Sequence, residues 1–419
     1  MRVGLARGFL LTTSLLTAAG SRVRAAQKPS AAPYPHRTEP IGTVRQMYDG
    51  VLTPALAVNT FRNIDRLFPT RTVPASSQPL SLPRAAAPLT DVHFTDQGKA
   101  YDLDSYLTLN RVAAILVLQD GHVKLERYRF GNTHRTRWMS MSVAKSITST
   151  LVGAAIKDGS IGSLSDPVTV YVPSLVGTAY DGVAVRDVLM MASGVRWNET
   201  YSDPSSDRRR LLEAQISQVP GSAMDVMESL PRAAAPGTQY NYNTGEIQVL
   251  AEVLRAAVRR PLATYLSERI WSRFGMEADA NWWLDSPDGT EIGGSGFSAT
   301  LRDYGRFGLF VLGGGIAAGD SILPAGWVRE ATTPKTLRDG SQVDYGYLWW
   351  TAETPASRRD GACMALGIHG QYLYVNPVAR IVIVVWGARP HPSEGQVVND
   401  WSFVDAVSAA LTSGRTAPQ

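Results

Sequence analysis

Ser142-Val143-Ala144-Lys145 places a hydroxyl and an amine three residues apart, a spacing at which two side chains share one face of a helix. A serine hydroxyl is a poor nucleophile until a neighbouring base takes its proton. A lysine held in a dry pocket loses proton affinity and can be that base. With Ser142 at the start of the helix, the free N–H groups and partial positive charge of the helix N-terminus favour the alkoxide and the tetrahedral adduct. The spacing by itself also describes an ordinary helix with a solvated lysine. Two features favour chemistry: the chain has only six lysines, and this one falls where the helix has almost no polar face. A buried lysine needs a reason.

The second candidate is Tyr242, in Pro236-Gly237-Thr238-Gln239-Tyr240-Asn241-Tyr242-Asn243-Thr244-Gly245-Glu246. A tyrosine on a tight loop close to a lysine can take or relay a proton as a phenolate. Its plain alternative is a loop tyrosine that caps the core. Other chemistries fall away. The histidines are His36, His93, His122, His134, His369 and His391, and no two stand four apart, the separation that sets two imidazoles on one helix face. No metal site and no cofactor are expected. Gly294-Ser295-Gly296 misses the nucleophile-elbow pattern because Phe297 takes the last glycine position, so it reads as a turn.

The elements that must hold these residues can be read from pattern. A buried helix is predicted from Ser142 to Lys157, ending at Asp158-Gly159, with Val143, Ile147, Leu151, Val152 and Ile156 among its apolar positions. Ala113 to Leu118, an Asp120-Gly121 turn and His122 to Tyr128 form a predicted hairpin just before it. A second hairpin is predicted from Gln371 to Val375 and Ile381 to Val385, across Asn376-Pro377, followed by a helix from Asp400 to Leu411. Between them, Asp187 to Met191 and Glu246 to Val258 read as helical. The expected fold class is α+β: one antiparallel β-sheet, completed by distant segments and flanked by helices, with a mostly helical lobe inserted. The boundaries follow: residues 111–164 and 291–419 for the sheet domain, 165–290 for the lobe. Residues 27–110, rich in Pro, Ser and Ala, read as an extended arm.

Composition limits the function classes. The chain has 419 residues, 44% of them hydrophobic, enough for a large core, and one cysteine, Cys363, which excludes a disulfide scaffold. The net charge of +4 comes from Arg2, Arg7, Arg22 and Arg24; without them 37 basic residues face 37 acidic ones. A nucleic-acid partner is not expected, because the basic charge is not on the folded part. Residues 1–26 pair two early arginines with the short apolar run Gly8 to Gly20 and then Ala25-Ala26, the pattern of a signal peptide. No later segment reaches the roughly 18 apolar residues of a membrane span. An exported, periplasmic enzyme without stable membrane insertion is the expectation; nothing in the residues sets its oligomeric state.

The serine, lysine and tyrosine elements, in this order and about one hundred residues apart, resemble the class C β-lactamase and penicillin-binding-protein superfamily. The resemblance extends to Ser163-Leu164-Ser165-Asp166-Pro167-Val168 with Tyr171 and Pro173, to Val188-Leu189-Met190-Met191-Ala192-Ser193-Gly194, and to Gly293 through Asp303. It covers residues 100 to 410. By that resemblance Ser142 is the acylated nucleophile, Lys145 its activator and Tyr242 the proton shuttle. The N–H groups of Ser142 and Ile368 form the implied oxyanion hole. Two positions depart from the family. Tyr242-Asn243-Thr244 ends in threonine where asparagine is usual. Ala365-Leu366-Gly367 stands where lysine-threonine-glycine is usual, which removes the cation that grips a β-lactam carboxylate.

Gly367-Ile368-His369-Gly370-Gln371, together with Trp197-Asn198-Glu199-Thr200-Tyr201, is most similar to the esterase and 6-aminohexanoate-dimer hydrolase branch. Substrate-binding roles are thereby implied for Tyr201, at the scissile group, and for His369, lining the pocket; a packed aromatic and a histidine bonded to backbone are the alternatives. The nylon-oligomer enzymes hold a substrate ammonium with an acid about ten positions after that tyrosine. Here the stretch reads Arg208-Arg209-Arg210-Leu211-Leu212, which argues against nylon oligomers, and the arginines read as a solvated face. The expected function is a serine hydrolase that cleaves small-molecule esters or amides through an acyl-enzyme on Ser142. A penicillin-binding peptidase or β-lactamase, and a non-catalytic cell-envelope binding relative, stay open as alternatives.

Overall fold

Val112–Gln119 is apolar on both faces and every one of its side chains is buried, so it needs cover on two sides. The computed structural model, which describes Met1, Gly4 and residues 33–413, provides that cover. The signal peptide expected over residues 1–26 lies outside the described residues, Met1 and Gly4 apart.

Two antiparallel sheets position the site. Their strands, in chain order, are β1 (Thr70–Val73), β2 (Val112–Gln119), β3 (His122–Tyr128), β4 (Arg137–Met139), β5 (Ala280–Trp283), β6 (Phe297–Thr300), β7 (Trp350–Thr351), β8 (Cys363–Gly367), β9 (Gln371–Asn376) and β10 (Ile381–Gly387). The larger sheet has the order β7-β8-β9-β10-β2-β3 and the smaller β1-β5-β6-β4. The helices used below are α1 (Val44–Tyr48), α2 (Pro54–Phe61), α3 (Leu103–Leu109), α4 (Val143–Lys157), α5 (Val185–Leu189), α6 (Asp207–Ser217), α7 (Ser222–Glu228), α8 (Glu246–Val258), α9 (Leu301–Leu312) and α10 (Asp400–Thr412).

The period-two alternation of strands sorts the larger sheet's side chains into two cores. Leu116, Leu118, Leu373, Val382 and Val384 enter one, with α4 and α9. Ile115, Val117, Tyr372, Tyr374 and Ile383 enter the other, with Tyr106 and Leu107 of α3 and Phe403, Val404 and Val407 of α10. Helix α9 lies close on the sheet because Gly308 has no side chain: a Cβ there would stand 2.4 Å from Val382 Cγ1.

The two sheets meet beside Ser142. Trp138 of β4 stacks on Trp386 of β10, with centroids 5.5 Å apart and an interplanar angle of 8°. Its indole N–H donates to Gln371 Oε1 at 2.9 Å, and the Gly387 N–H donates to the same oxygen at 3.0 Å. The strand that leads into Ser142 is thus fixed to the larger sheet.

Both expected hairpins and the helices from residues 142, 246 and 400 are present, and strands from the two ends of the chain share one sheet. The segment read as an extended arm differs, since it contains α1, α2, α3 and β1. Prolines and alanines hid an amphipathic signal there: Thr53 caps α2 with Pro54 at its first position, the place where a proline costs a helix nothing, and Ala57, Val58 and Phe61 turn inward. The segment read as a helical lobe also supplies β5 to the smaller sheet. Among the described residues no helix is long and apolar enough to cross a membrane.

Gly308→Val drives a branched side chain into Val382. Overpacking of this kind should lower stability by about 1–3 kcal/mol, read as a lower urea midpoint at unchanged slope.

Candidate active site

The turn before α4 sets the geometry. The Ser140 N–H donates to Phe297 O at 2.7 Å, and Met141 takes a left-handed conformation, φ 44°. Ser142 follows as the N-cap of α4, but its side chain makes no capping bond, so the hydroxyl is free for other partners. It is half-buried. One turn on, Lys145 is 1% exposed. Its Nζ lies 2.7 Å from Ser142 Oγ and 3.1 Å from the Gly294 carbonyl oxygen. Thr148 Oγ1 donates to Gly293 O at 2.8 Å, which fixes that carbonyl segment against the helix.

Lys145 has no carboxylate within ion-pair distance among the described residues. Burial therefore dominates its proton affinity and draws its pKa down to about 7; Glu199 opposes this and Arg208 adds to it. Neutral amine and ammonium coexist near neutral pH, and the neutral form can accept the Ser142 proton.

Tyr242 completes the cluster. Lys145 Nζ stands 5.2 Å from the centre of its ring, and the ring packs on Trp350 at 5.6 Å and edge-on to Tyr345 at 6.2 Å. Burial first, and then Glu199, push the phenol pKa well up, against a hydrogen bond with Ser142 that lowers it. The phenolate that the sequence reading allowed is thus disfavoured at rest. The group stands ready to donate or relay a proton.

Strand β8 ends against the same turn. A Cβ on Gly367 would lie 2.5 Å from Ser140 O and 3.1 Å from Ser142 N, so only glycine lets the strand end approach this closely. Ile368 follows directly, and among the described residues no turn or loop hydrogen bond claims the N–H of Ser142 or of Ile368. Two N–H groups close to one serine can receive developing negative charge.

Glu199 is the residue that the sequence reading quoted without giving a role. Its Oε2 accepts the Thr244 N–H at 2.9 Å and the Trp197 indole N–H, and its Oε1 accepts the Thr244 hydroxyl. Thr244, the departure from the family's asparagine, is thereby tied to this carboxylate. The available signal was an acid inside an aromatic stretch, with Trp197 and Tyr201 each two residues away.

A cavity of about 500 Å³ adjoins the cluster, lined by Tyr48, Asp49, Glu199, Thr200, Tyr201, Ser202, His391, Pro392, Ser393 and Glu394. Ser142 is not in its wall; Glu199 and Tyr201 link the two, Glu199 acting electrostatically on Tyr242 and Tyr242 on Tyr201. Tyr201 sits 6.0 Å from Tyr48, ring to ring. The wall contains three carboxylates and no lysine or arginine. Asp49 is taken up by Arg209 at 2.6 Å.

Two readings need correction. His369 is not in the cavity wall: it is 1% exposed, its Nδ1 is 2.9 Å from the Arg389 carbonyl oxygen, and its ring packs on Phe61 at 4.8 Å. Burial draws its pKa down to about 4. A neutral imidazole bonded to backbone holds the 389–392 segment in place. The arginine triplet is a solvated face only at Arg210, which is exposed. Arg208 and Arg209 are 1% and 6% exposed. Arg208 donates to the Tyr48 hydroxyl and lies 4.7 Å over that ring, so both arginines brace the cavity from behind.

The chain matches the Beta-lactamase family model over residues 110–406. It is similar to 6-aminohexanoate-dimer hydrolase of Paenarthrobacter ureafaciens, 32% identical over 305 residues, which cover 70% of this chain and 76% of that one. It is 26% identical to D-aminopeptidase of Brucella anthropi over 278 residues, 59% of this chain and 50% of that one. Among solved structures, "Putative 6-aminohexanoate-dimer hydrolase from Bacillus anthracis" has the same fold, with a TM-score of 0.78 and 24% identity over 91% of this chain and all of that one.

Glu199→Gln removes a negative charge that favours the Lys145 ammonium. The Lys145 pKa should then fall below its value of about 7, as followed by NMR titration of labelled lysines; an unchanged midpoint would remove Glu199 from the electrostatics of the site.

Proposed function

This chain belongs to the β-lactamase family of serine hydrolases, and we propose that it cleaves small carboxylic amides or esters by acylating Ser142. The observation that carries the reading is the 2.7 Å contact of Ser142 Oγ with a lysine that is buried and unpaired with any acid. In the proposed reaction neutral Lys145 takes the Ser142 proton as Oγ attacks the substrate carbonyl carbon. The Ser142 and Ile368 N–H groups receive the oxyanion. When the carbonyl re-forms, the bond to the leaving nitrogen or oxygen breaks, the Tyr242 phenol gives that atom its proton, and Lys145 returns its own to the phenolate. Water then attacks the seryl ester by the reverse path, which releases the acid and restores all three groups.

The cavity supports a finer proposal. Glu394 is exposed and has no ion pair among the described residues, and Glu199 is bonded only to neutral donors. With Tyr48 and Tyr201 they suit a substrate that carries an ammonium group. Asp49, Glu199 and Glu394 come from segments other than the one where the nylon-oligomer acid was sought. The relatives' names, an aminohexanoate dimer hydrolase and an aminopeptidase, agree with amine-bearing amides. Ala365, in place of the usual lysine, weighs against β-lactams. The arginines and apolar run of residues 1–26 support an export signal, which would place the work of the enzyme in the periplasm.

A fluorophosphonate probe should label the wild-type protein and leave folded Ser142→Ala unlabelled; labelling of the variant would refute Ser142 as nucleophile. Lys145→Ala should lower kcat/KM by about three orders of magnitude or more. Because only the neutral amine accepts a proton, wild-type kcat/KM should rise with pH through about 7. An ω-amino acyl p-nitroanilide should be cleaved about tenfold or more faster, in kcat/KM, than its N-acetyl derivative; equal rates would remove the ammonium reading.

A further inference from the structure

The loop that carries Tyr242 is held from one side by a neighbouring turn. Met191 takes a left-handed conformation, φ 55°; its carbonyl accepts the Asn241 N–H at 2.8 Å and its sulfur accepts the Asn243 N–H at 3.4 Å. Tyr242 lies between these two anchors. Both are fastened further by one side chain, Glu246, at the first position of α8. Its Oε1 accepts the Ser193 hydroxyl and the Asn243 amide N–H at 3.3 Å. Ser193 Oγ in turn accepts the Val195 N–H at 3.0 Å, and Asn243 Oδ1 accepts the Glu246 N–H at 3.1 Å. Ser193 and Asn243 are fully buried and Glu246 is 1% exposed. Glu246 Oε2 has no hydrogen-bond partner among the described residues.

We propose that Glu246 is a positioning residue for Tyr242, its carboxyl group fastening the Met191–Val195 turn to the loop that carries the phenol. The inference rests on the reading of Tyr242 given above. The two carboxyl oxygens stand in unlike places. Oε1 has two donors, as a carbonyl oxygen would want; Oε2 has none, so a negative charge there would be uncompensated. The start of α8 favours an anion, but burial is the larger effect and raises the Glu246 pKa to about 8, with Ser193 and Asn243 opposing it. The titratable groups facing it are Asp187 of α5, paired with Arg338 at 2.8 Å, and the Tyr180 hydroxyl, which has no partner. Near neutral pH the clamp is a neutral acid. As pH rises through about 8 it ionises, the uncompensated charge loosens the turn, and Tyr242 loses its register with Ser142.

Its sign is opposite to that of Lys145: loss of the lysine proton switches activity on, and loss of the glutamic acid proton switches it off. The folded acid is weaker than the same group at its ordinary 4.5, so the unfolded chain ionises first, and stability should also fall between those two pH values.

The test measures kcat and KM from about pH 6 to 10 in wild type, E246Q and E246L, with Ser142 counted by fluorophosphonate labelling in each. E246L is expected to lower kcat at neutral pH about tenfold with KM changed less than about twofold. E246Q, which keeps a neutral acceptor at Oε1, should recover most of that kcat and lack the alkaline limb near pH 8. A limb that is the same in wild type and E246Q overturns the proposal, as does a wild-type profile that stays flat to about pH 9.5, or an E246L enzyme with wild-type kcat. If E246L does not fold, the comparison of wild type with E246Q decides. Wild-type protein that never labels at Ser142 overturns the reading of the site as well, whereas full labelling with unaltered profiles overturns this inference alone.

Discussion

Lys145 is a cation without an anion. Buried Arg306 has its carboxylates, Asp303 at 2.9 Å and Glu277 at 2.8 Å, and half-buried Arg389 meets Asp400 at 2.7 Å. Lys145 has a hydroxyl and a backbone carbonyl. An unpaired ammonium out of water costs several kcal/mol, and the least costly release is to give up the proton. Dehydration of one amine therefore requires much of the surrounding architecture. Helix α4 must be covered on every face, the smaller sheet must close over its start, and Gly293-Gly294 must lie against its side. The Trp138–Trp386 stack and the close contact at Gly367 hold these parts together.

Around that amine the acids are placed with equal economy. Glu199 has three donors spread over both oxygens, and Glu246 has two donors on one oxygen and none on the other. Both reach the loop of Tyr242, from opposite ends of its Asn243-Thr244 pair.

Legibility in the sequence followed the reach of the interactions. Helix α4, both hairpins and α8 could be read because their patterns are local: apolar runs, Asp120-Gly121, Gly159 after α4 and Gly245 before α8. Ser142 and Lys145 could be paired because one helical turn fixes their separation. Strands β1 and β5 could not, since two four-residue segments some two hundred positions apart make sense only when paired with each other. The same limit explains the arginines. Nothing local distinguishes Arg208 under Tyr48 from a solvated arginine, because Tyr48 is 160 positions away. His369 was ambiguous for a like reason: its partner carbonyl at Arg389 belongs to a segment beyond two whole strands.

The wall of the cavity has a separate origin from the reactive cluster. Residues 48–49, 199–202 and 391–394 reach it from three remote stretches of chain, mostly as loops, whereas Ser142 and Lys145 sit on a helix clasped between sheets. On the proposed reading, chemistry and selectivity are thus modular. Exchange or recombination of the three rim segments can retune the choice of acyl partner while the proton-transfer core is inherited intact, which makes the scaffold a natural starting point for diversification by loop grafting.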